Sequence, residues 1–417
     1  MSVPGARITG LLGINKSTAL LLAAIVLIGA GEETWMRFVP KYLEALGASA
    51  FLIGLFDAVK TLLGSVYAYP GGVLADRWGH RRALLAFTAA SIAGYAVFLF
   101  LPSWHGVIGG AFLFLAWSNL SLPATFSLVG ASLPAQKHTM GIGMQSLIRR
   151  VPVILGPIAG GILLDSLGVA RGVRAGVLIS LAFAAVALLV QKRLPGEASP
   201  STARLRLAAT VRGFSPELRR LLLSDILVRF CERIPYAWVV IYAMDSVGVS
   251  ASRFGLLVAV EMAAAIACYI PASALADRHG KQPFVLATFV FFTLFPLALL
   301  AAHTFPALVV AFLIRGLKEF GEPARKALIL GCAAHAGRGQ TIGAYYLIRD
   351  VTVTAGSFLG AALWQLSPAV NLWTAFAAGA AGALFYLATL PALPSSRYNP
   401  RYVLLRGPSR PAGPGAP

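Results

Sequence analysis

The sequence has few charged residues, because Asp, Glu, Lys and Arg make up only 12% of its 417 positions. Soluble globular domains carry about 25%, so a soluble fold of this length would have too few charges to cover its surface. Hydrophobic residues account for 58% of the chain. The composition therefore excludes an ordinary soluble protein and indicates a polytopic membrane protein whose outer surface faces the lipid bilayer.

Cysteine and the common catalytic motifs are also scarce. The three cysteines, Cys231, Cys268 and Cys332, lie in or beside apolar runs without paired spacing, which excludes a disulfide framework and a zinc site. The sequence has no nucleotide-binding loop, no paired-histidine metal motif and no G-x-S-x-G nucleophile turn. We therefore expect no enzyme activity, no metal and no cofactor.

Acidic residues are outnumbered, with 16 Asp and Glu against 35 Lys and Arg. The basic residues are scattered between apolar runs and are not gathered on one soluble domain, so we expect no nucleic-acid partner. With both termini placed in the cytoplasm, the cytoplasmic connectors contain twenty Lys and Arg, and the opposite connectors contain four, namely Lys41, Arg171, Arg174 and Arg253. By the positive-inside rule, the sequence predicts this orientation in a plasma (inner) membrane.

Twelve apolar windows have about the 20 residues that a helix needs to cross a bilayer. We number them spans 1 to 12, at 18–39, 52–72, 83–101, 107–130, 140–164, 172–190, 219–243, 252–272, 283–302, 306–326, 341–364 and 369–390. The prediction is an all-α membrane protein of twelve transmembrane helices in two pseudo-symmetric six-helix bundles. Its parts are a cytoplasmic N-terminus at 1–17, bundles at 18–190 and 217–392, a cytoplasmic linker at 191–216 and a disordered cytoplasmic tail at 393–417.

The two halves of the chain repeat one another. The connector GGVLADRWGHRR at 71–82 returns as SALADRHGKQPF at 273–284. The stretch 142–163 aligns with 342–363 at an offset of 200 residues, and three glycines and Arg149 recur at the shifted positions. Halves repeated in the same orientation are a recurrent plan of membrane transporters, with the substrate path between them near the bilayer midplane.

The repeated connector resembles the loop between helices 2 and 3 of the major facilitator superfamily, G-x-L-a-D-r-x-G-r-[RK]. It has His80 where a basic residue is usual, and its weaker copy lies between spans 8 and 9. The resemblance covers nearly the whole chain and implies transport by alternating access. It also implies a cytoplasmic gating motif at Gly72, Asp76, Arg77, Gly79, Arg81, Asp277, Arg278 and Gly280.

The two aspartates of this motif have expected partners. A helix N-terminus carries unpaired N–H groups and about half a positive charge, and spans 5 and 11 both begin at the cytoplasmic face. We expect Asp76 to dock on the start of span 11 near Thr341, and Asp277 on the start of span 5 near Thr139. These contacts would hold the cytoplasmic side closed while the outer side is open. The alternative is that Asp76 only caps a turn.

Span 5 resembles the antiporter signature of the same superfamily, g-x8-G-x3-G-P-x2-G-G. The helix-packing residues that match it are Gly143, Gly156, Pro157, Gly160 and Gly161, with Pro152 at the central glycine. In the family this pattern accompanies proton-driven efflux. The alternative is that any closely packed membrane helix is rich in glycine. Against efflux, span 4 at 112–126 lacks the arginine that the family's drug antiporters use for proton relay, whereas span 10 has Arg315.

Charged residues also lie inside the spans, where each costs about 2.5–3.5 kcal/mol at a helix centre, so we expect them to pair or to line a wet cavity. Helical spacing predicts the pairs Glu33–Arg37, Asp57–Lys60, Asp225–Arg229 and Arg315–Glu319. It also places Arg315, Glu319, Glu322 and Lys326 on one face of span 10. Arg325 and Lys326 are expected to reach the cytoplasmic surface.

The candidate site lies near the middle of spans 1, 5, 7, 10 and 11. A carboxyl group in a low-dielectric cavity takes up a proton more readily unless a cation opposes it, so the proton-coupling candidates are Glu33, Glu32 and Asp57. Glu32 and Glu33 point about 100° apart, so at most one of them faces the cavity squarely. The candidate cavity residues are Arg37, Lys60, Arg149, Arg150, Glu232, Arg233, Glu261, Arg315, Glu319, Arg349 and Asp350.

The sequence predicts proton-coupled export of a small polar or charged solute by antiport. Arg149, Arg315 and Arg349 would hold an anionic group of the solute or pass charge between acids. A proton-coupled uptake symporter or a facilitator is the main alternative, and a membrane receptor that does not transport is a third. The expected partners are the lipid bilayer, a small-molecule substrate and protons, and we expect a monomer.

Overall fold

The computed structural model describes residues 16–121, 125, 138–194, 207–332 and 338–390. Every regular element within these ranges is a helix, which confirms the all-α prediction. Residues 1–15, 195–206 and 391–417, which hold most of the predicted N-terminus, part of the linker and the tail, lie outside the described part of the chain.

The first half forms spans 1 to 6. Span 1 comprises α1, a 3-10 turn at Met36–Phe38 and α2; span 2 comprises α3 and α4; spans 3 to 6 contain α5 to α8 in order. The bounds are α1 Lys16–Glu33, α2 Val39–Ala45, α3 Ala50–Val66, α4 Ala68–Trp78, α5 His80–Phe100, α6 Trp104–Phe114, α7 His138–Leu167 and α8 Val169–Gln191. Helical residues at 116–121 continue span 4 beyond α6.

The second half forms spans 7 to 12, preceded by the short helix α9 in the linker. Span 7 comprises α10, α11 and a π-helical turn at Tyr242–Ser246; span 10 comprises α14 and α15; spans 8, 9, 11 and 12 are α12, α13, α16 and α17. The bounds are α9 Leu207–Arg212, α10 Pro216–Arg233, α11 Trp238–Ile241, α12 Ala251–His279, α13 Gln282–Leu300, α14 Phe305–Leu317, α15 Glu322–Cys332, α16 Arg338–Leu366 and α17 Pro368–Thr389.

Seven of the described spans are long and apolar enough on their own to cross a membrane, namely spans 1, 3, 5, 6, 8, 9 and 12. Span 11 carries charges along its length, and spans 2, 7 and 10 are interrupted as well as charged. The spans with the weakest membrane signal are therefore those that carry most of the candidate site. We call the end of the bundle that holds the linker and the connectors after α4 and α12 the linker side, and the other end the opposite side.

Both halves have the same helix caps and glycine turns at equivalent positions. The hydroxyl of Ser49 caps α3, and that of Ser250, 201 positions later, caps α12; each accepts a hydrogen bond from a backbone N–H in the first turn. Gly79 and Gly280 join the repeated connectors with φ of +80° and +92°. Glycine is favoured there because a Cβ makes this backbone conformation costly. The sequence repeat is thus also a repeat of structure.

Spans 1, 7 and 10 are broken near their middle, which the predicted continuous windows did not anticipate. α1 ends at Glu33 and α10 ends at Arg233, so the breaks in spans 1 and 7 fall at equivalent positions. Pro235 follows the end of α10, and proline cannot continue a helix without losing a backbone hydrogen bond. In span 10 the chain turns between Leu317 and Glu322.

The two halves meet where span 5 packs against span 8 and span 2 packs against span 11. Glycine permits the approach, because a Cβ on Gly255 would lie 2.3 Å from the carbonyl oxygen of Pro157. A Cβ on Gly161 would lie 2.4 Å from the carbonyl oxygen of Ala251. Such small-residue contacts let membrane helices pack backbone to backbone, so the predicted packing motif of span 5 lies partly at the contact between halves.

Gly160 is the tightest packing position of that motif, since a Cβ there would lie 1.6 Å from the carbonyl oxygen of Thr34 in span 1. We expect Gly160→Ala to lower the free energy of unfolding by about 1–3 kcal/mol, the usual cost of overpacking, and to lower the unfolding temperature in detergent. Gly109→Ala is the matched control, because a Cβ on this helical glycine meets nothing within 4 Å. Equal stability of the two variants would contradict this account of the packing.

Candidate functional site

A narrow cavity lies between the two halves, beside the breaks in spans 1 and 7. Its charged lining residues are Arg37, Asp57, Lys60 and Arg315, and Tyr236 forms part of its wall. Polar groups converging in an otherwise apolar pocket are typical of a site for a small molecule. We call it the central cavity.

A second cavity, with about 780 Å³ of space, continues from the central cavity and shares Lys60 and Tyr236 with it. A third cavity shares Arg229 and Arg349 with the second and extends to Tyr346. Tyr346 lies nearer than Arg349 to the start of span 11, which is on the linker side. The three cavities therefore form one charged route, the linker-side path, from the centre of the bundle toward the linker side.

A contact between span 2 and the second half lies where the central cavity meets the second cavity, since Asp57 lines the first and Arg233 the second. Arg233 Nη1 lies 3.2 Å from Asp57 Oδ1, and the Ser357 hydroxyl donates to Asp57 Oδ2 at 2.6 Å. Asp57 is 3% exposed. One buried carboxylate of the first half is therefore held by both span 7 and span 11.

Two further contacts join the halves at the opposite side. The Asp165 carboxylate, at the end of span 5, accepts hydrogen bonds from the backbone N–H groups of Ala251 (2.9 Å) and Ser252 (3.0 Å) at the start of span 8. Lys41 of span 1 pairs with Asp245 of span 7. The sequence prediction missed these residues, although an aspartate that ends one span where another begins is a usable signal.

We expect Asp165→Asn to weaken closure of the opposite side, because the amide has no charge to interact with the helix N-terminus. The measurement uses a variant in which the native cysteines are replaced and Val239, which lines the central cavity, is changed to cysteine. An impermeant maleimide is added at the opposite side of the membrane, and the rate of labelling is measured. The rate should rise about fivefold, the equivalent of the ~1 kcal/mol that such a contact contributes. Glu217→Gln, at the linker-side end of α10, removes a charge as a control. An unchanged rate in Asp165→Asn would contradict the assigned role.

A continuous network of ion pairs occupies the second half, beside the linker-side path. Arg325 pairs with Asp225 and with Glu322 (2.6 Å), Arg229 with Glu232 (2.8 Å), Lys318 with Glu232 (2.8 Å) and Glu261 (3.3 Å), and Arg315 with Glu261 (3.4 Å). Each carboxylate of the network therefore faces at least one cation. Pairing of this kind offsets the cost of removing charges from water.

Two of the four pairs expected from helical spacing are confirmed. Glu33 and Arg37 lie 3.6 Å apart, and Asp225 and Arg229 lie 3.8 Å apart. The expected Asp57–Lys60 pair is wrong within the described residues, because Asp57 turns to the second half instead.

The prediction for span 10 is also wrong. Arg315 pairs with Glu261 of span 8, whereas Glu319 faces Arg150 of span 5 at 3.9 Å. The reason is the turn between α14 and α15, which interrupts the single helical face that the sequence suggested.

Arg325 does not reach the surface as predicted. It is 1% exposed and lies between Asp225 and Glu322, whereas the side chain of its neighbour Lys326 is 51% exposed. The two adjacent basic residues therefore have different roles, because the carboxylates of Asp225 and Glu322 hold Arg325 inside the bundle.

The arginines at equivalent positions of spans 5 and 11 differ in their pairing. Arg349 pairs with Asp350 (2.6 Å) and Asp225 (3.5 Å). Among the described residues, Nε and Nη2 of Arg149 are buried without a hydrogen-bond partner. The positions equivalent to Asp225 and Asp350 are Ile25 and Arg150, so the first half lacks the acids that neutralise Arg349.

Glu32 and Glu33 of span 1 face different surroundings. Glu32, 9% exposed, accepts hydrogen bonds from the Tyr95 hydroxyl (2.8 Å) and from the Ser118 hydroxyl. In the part of the chain that the structure describes, no Lys, Arg or His nitrogen lies within 4.0 Å of its carboxylate. Glu33 pairs instead with Arg37, which lines the central cavity. The two hydroxyl donors, in spans 3 and 4, were not among the predicted site residues.

The predicted gating motif lies at the linker side. Arg77, Asp277 and Arg278 are exposed there. The side chains of Asp76 and Thr139 lie outside the described residues, as do the surroundings of Gly72 and Gly143. The proposed docking contacts of Asp76 and Asp277 therefore stay predictions.

Two structural repeats enclose a charged central cavity that is closed on one side, which is the architecture of an alternating-access transporter. The chain belongs to the Major Facilitator Superfamily, whose sequence model matches residues 20–231 and 221–403. It is therefore an integral membrane protein and a secondary transporter, and not an enzyme.

Relatives of this chain include resistance proteins. It is 24% identical over 402 residues to the tetracycline resistance protein, class C, of Escherichia coli, covering 91% of this chain and 96% of that protein. It is 24% identical over 372 residues to the multidrug resistance protein MdtG of Escherichia coli (strain 55989 / EAEC), covering 84% and 88%.

Solved structures share the fold. A POT family transporter in complex with 5-aminolevulinic acid superposes with a TM-score of 0.73 at 14% identity, covering 90% of this chain and 96% of that one. The nucleoside transporter NupG superposes with a TM-score of 0.75 at 12% identity, covering 89% and 99%. At these identities the likeness concerns the fold alone.

Proposed function

We propose that this protein exports a small polar or charged solute by proton-coupled antiport. The linker side is then cytoplasmic, with both termini in the cytoplasm and the bundle in the plasma (inner) membrane. The excess of twenty over four basic residues in the connectors supports this orientation. In the conformation described, the linker-side path would admit a solute from the cytoplasm while the opposite side is closed.

The observation that carries the proposal is that Glu32 forms no salt bridge among the described residues, although Arg149 of span 5 lies near enough to interact with it electrostatically at longer range. Asp57 is paired with Arg233 and Glu33 with Arg37. The acids of the second half that lie inside the ion-pair network also face cations, namely Asp225, Glu232, Glu261 and Glu322. A paired carboxylate resists protonation, because its cation would be left alone in a low-dielectric interior. Glu32 has no such partner among the described residues, so it is the carboxylate that can gain and lose a proton at least cost.

The two hydroxyl groups beside Glu32 suit a group that changes its charge. A hydroxyl both donates and accepts hydrogen bonds, so Ser118 and Tyr95 can donate to the carboxylate, and either can accept from the protonated acid. Glu32 lies next to the break in span 1, and Gly156 and Gly160 of span 5 pack against the adjacent residues Glu33 and Thr34. A change of charge at Glu32 therefore acts where the span 1 backbone bends and touches span 5.

Export is favoured over uptake by two observations. Span 5 carries most of the antiporter signature, and relatives spanning most of the chain are named as resistance proteins. A proton-coupled uptake symporter or a facilitator is the second candidate, and the missing arginine in span 4 favours it.

The test uses energised inside-out vesicles with a pH-sensitive dye in the lumen. A library of amino acids, organic ions and antibiotics is added from outside, and vesicles without the protein are the control. Antiport predicts that one compound class makes protons leave the lumen, so that luminal pH rises. Acidification of the lumen would indicate symport instead, and no response from a correctly folded protein would contradict proton coupling.

A further inference from the structure

We propose that the central cavity binds its substrate through an anionic group, a carboxylate or a phosphate, which pairs with Lys60. This inference rests on the proposed transport function and adds the chemical class of the substrate to it. Its basis is the balance of charges along the cavity walls and the pairing of each cation within the described residues.

Cations outnumber acids along the whole route. The lining of the three cavities includes eight cations, namely Arg37, Lys60, Arg229, Arg233, Arg315, Arg325, Lys326 and Arg349, and four acids, namely Asp57, Glu232, Glu322 and Asp350. A cleft lined by an excess of one sign of charge between low-dielectric walls concentrates ions of the other sign. Three more acids, Glu33, Asp225 and Glu261, lie behind this lining in ion pairs with its cations, so eight cations face seven acids and an excess of one cation remains.

Within the central cavity, two of the three lining cations are already compensated. Arg37 lies 3.6 Å from Glu33, and Arg315 lies 3.4 Å from Glu261. The single acid in the lining, Asp57, is occupied by Arg233 and by Ser357. The cavity therefore has no free carboxylate to receive a cationic substrate.

Lys60 is the lining cation that remains without an acid. No carboxylate of the described residues lies within 4.0 Å of its Nζ, which is instead placed over the ring of Tyr236, 5.2 Å from the ring centroid. The ring also has Arg233 at 4.6 Å and Arg315 at 5.8 Å. Further positive charge in this surrounding would raise the cost of burying Lys60, whereas an anion would lower it.

Lys60 also occupies the right position along the route. It lines both the central cavity and the second cavity, so a solute that arrives from the linker side meets its charge before the cavity ends. Phe56 and Val239 line the same central cavity and offer apolar surface to the remainder of a small organic anion. An aryl or alkyl carboxylate or phosphate has both an anionic group for Lys60 and an apolar part for this surface.

The test measures equilibrium binding to the full-length protein in detergent by thermal unfolding, because a ligand that binds the folded state raises the unfolding temperature. The probes are benzoate, phenyl phosphate, benzamide and benzylammonium, which share a ring and differ in charge, together with longer alkyl carboxylates and phosphates. Stabilisation by anions and not by benzamide or benzylammonium is expected. Lys60→Gln should weaken anion binding about tenfold or more, and Lys60→Arg should restore it.

Lys192→Gln removes a charge at the end of span 6, on the exposed surface of the linker side, and should leave anion binding unchanged. Stronger binding of benzylammonium, failure of every anion to bind, or anion binding that survives Lys60→Gln would overturn the proposal. Comparing benzoate and phenyl phosphate with benzamide and benzylammonium on the unaltered protein tests the preference for anions even if Lys60→Gln does not fold. Anion binding without proton release would reject antiport alone, whereas proton release driven by cations would reject this inference alone.

Discussion

Replacing Glu32 by glutamine is expected to abolish proton-coupled flux while leaving substrate binding and folding intact. The glutamine carbonyl oxygen can still accept from Tyr95 or Ser118, which hold the carboxylate in the parent protein, so the local structure should survive. The amide cannot be protonated at neutral pH, so no proton can accompany the change of conformation. The measurement compares pH-driven flux with substrate exchange across proteoliposomes, and only the first should fall to background.

Glu33→Gln is the matched control, since it makes the same chemical change one residue away. Glu33 pairs with Arg37 at 3.6 Å, and its loss should weaken substrate binding more than proton coupling. If Glu33→Gln abolished coupling and Glu32→Gln did not, the proton carrier would be Glu33. Normal coupling in both variants would remove span 1 from the proposed mechanism and leave Asp57 as the remaining predicted candidate.

The largest effect on stability is expected from Arg325→Met. Arg325 is 1% exposed and pairs with Asp225 and Glu322, which are also buried. Methionine keeps much of the volume but leaves two carboxylates with less compensation, and breaking a buried pair costs about 3–5 kcal/mol. We expect a large fall in the unfolding temperature in detergent and a low yield of folded protein.

Lys326→Met is the control for this substitution, because it removes the same charge from a side chain that is 51% exposed. It should change stability by less than about 1 kcal/mol, as surface ion pairs do. Adding Asp225→Asn to Arg325→Met should recover part of the loss, because the two residues form one network. Equal stability of Arg325→Met and Lys326→Met would contradict the assigned network.

The fold could be read from the sequence because its signals are repeated. The connector with Gly79 returns with Gly280, and both glycines have the same unusual backbone conformation. The breaks in two spans also had a signal, since Pro235 and Pro323 stand at the ends of helical segments. In span 1, Pro40 is the second residue of α2, where the helix resumes after the break, as Pro323 is in α15.

Pairing of the charges could be predicted only in part. Helical spacing predicts the pair of Glu33 and Arg37 correctly, although α1 ends at Glu33 and Arg37 lies in the 3-10 turn that follows. It is misleading for Asp57, whose partner Arg233 lies 176 residues away, in the other half. Whether a tertiary partner replaces a local one in an ion pair depends on how the two halves pack together, which a single sequence does not specify.

The most direct test of the central claim is uphill transport driven by a pH gradient alone. Purified protein is placed in proteoliposomes with an acidic lumen, and the substrate identified by the vesicle screen is supplied at equal concentration on both sides. Proton-coupled antiport predicts that the substrate accumulates in the lumen as protons leave, and that accumulation stops when the gradient is collapsed. Depletion of the substrate from the lumen, or equal concentrations that no pH gradient can change, would contradict it.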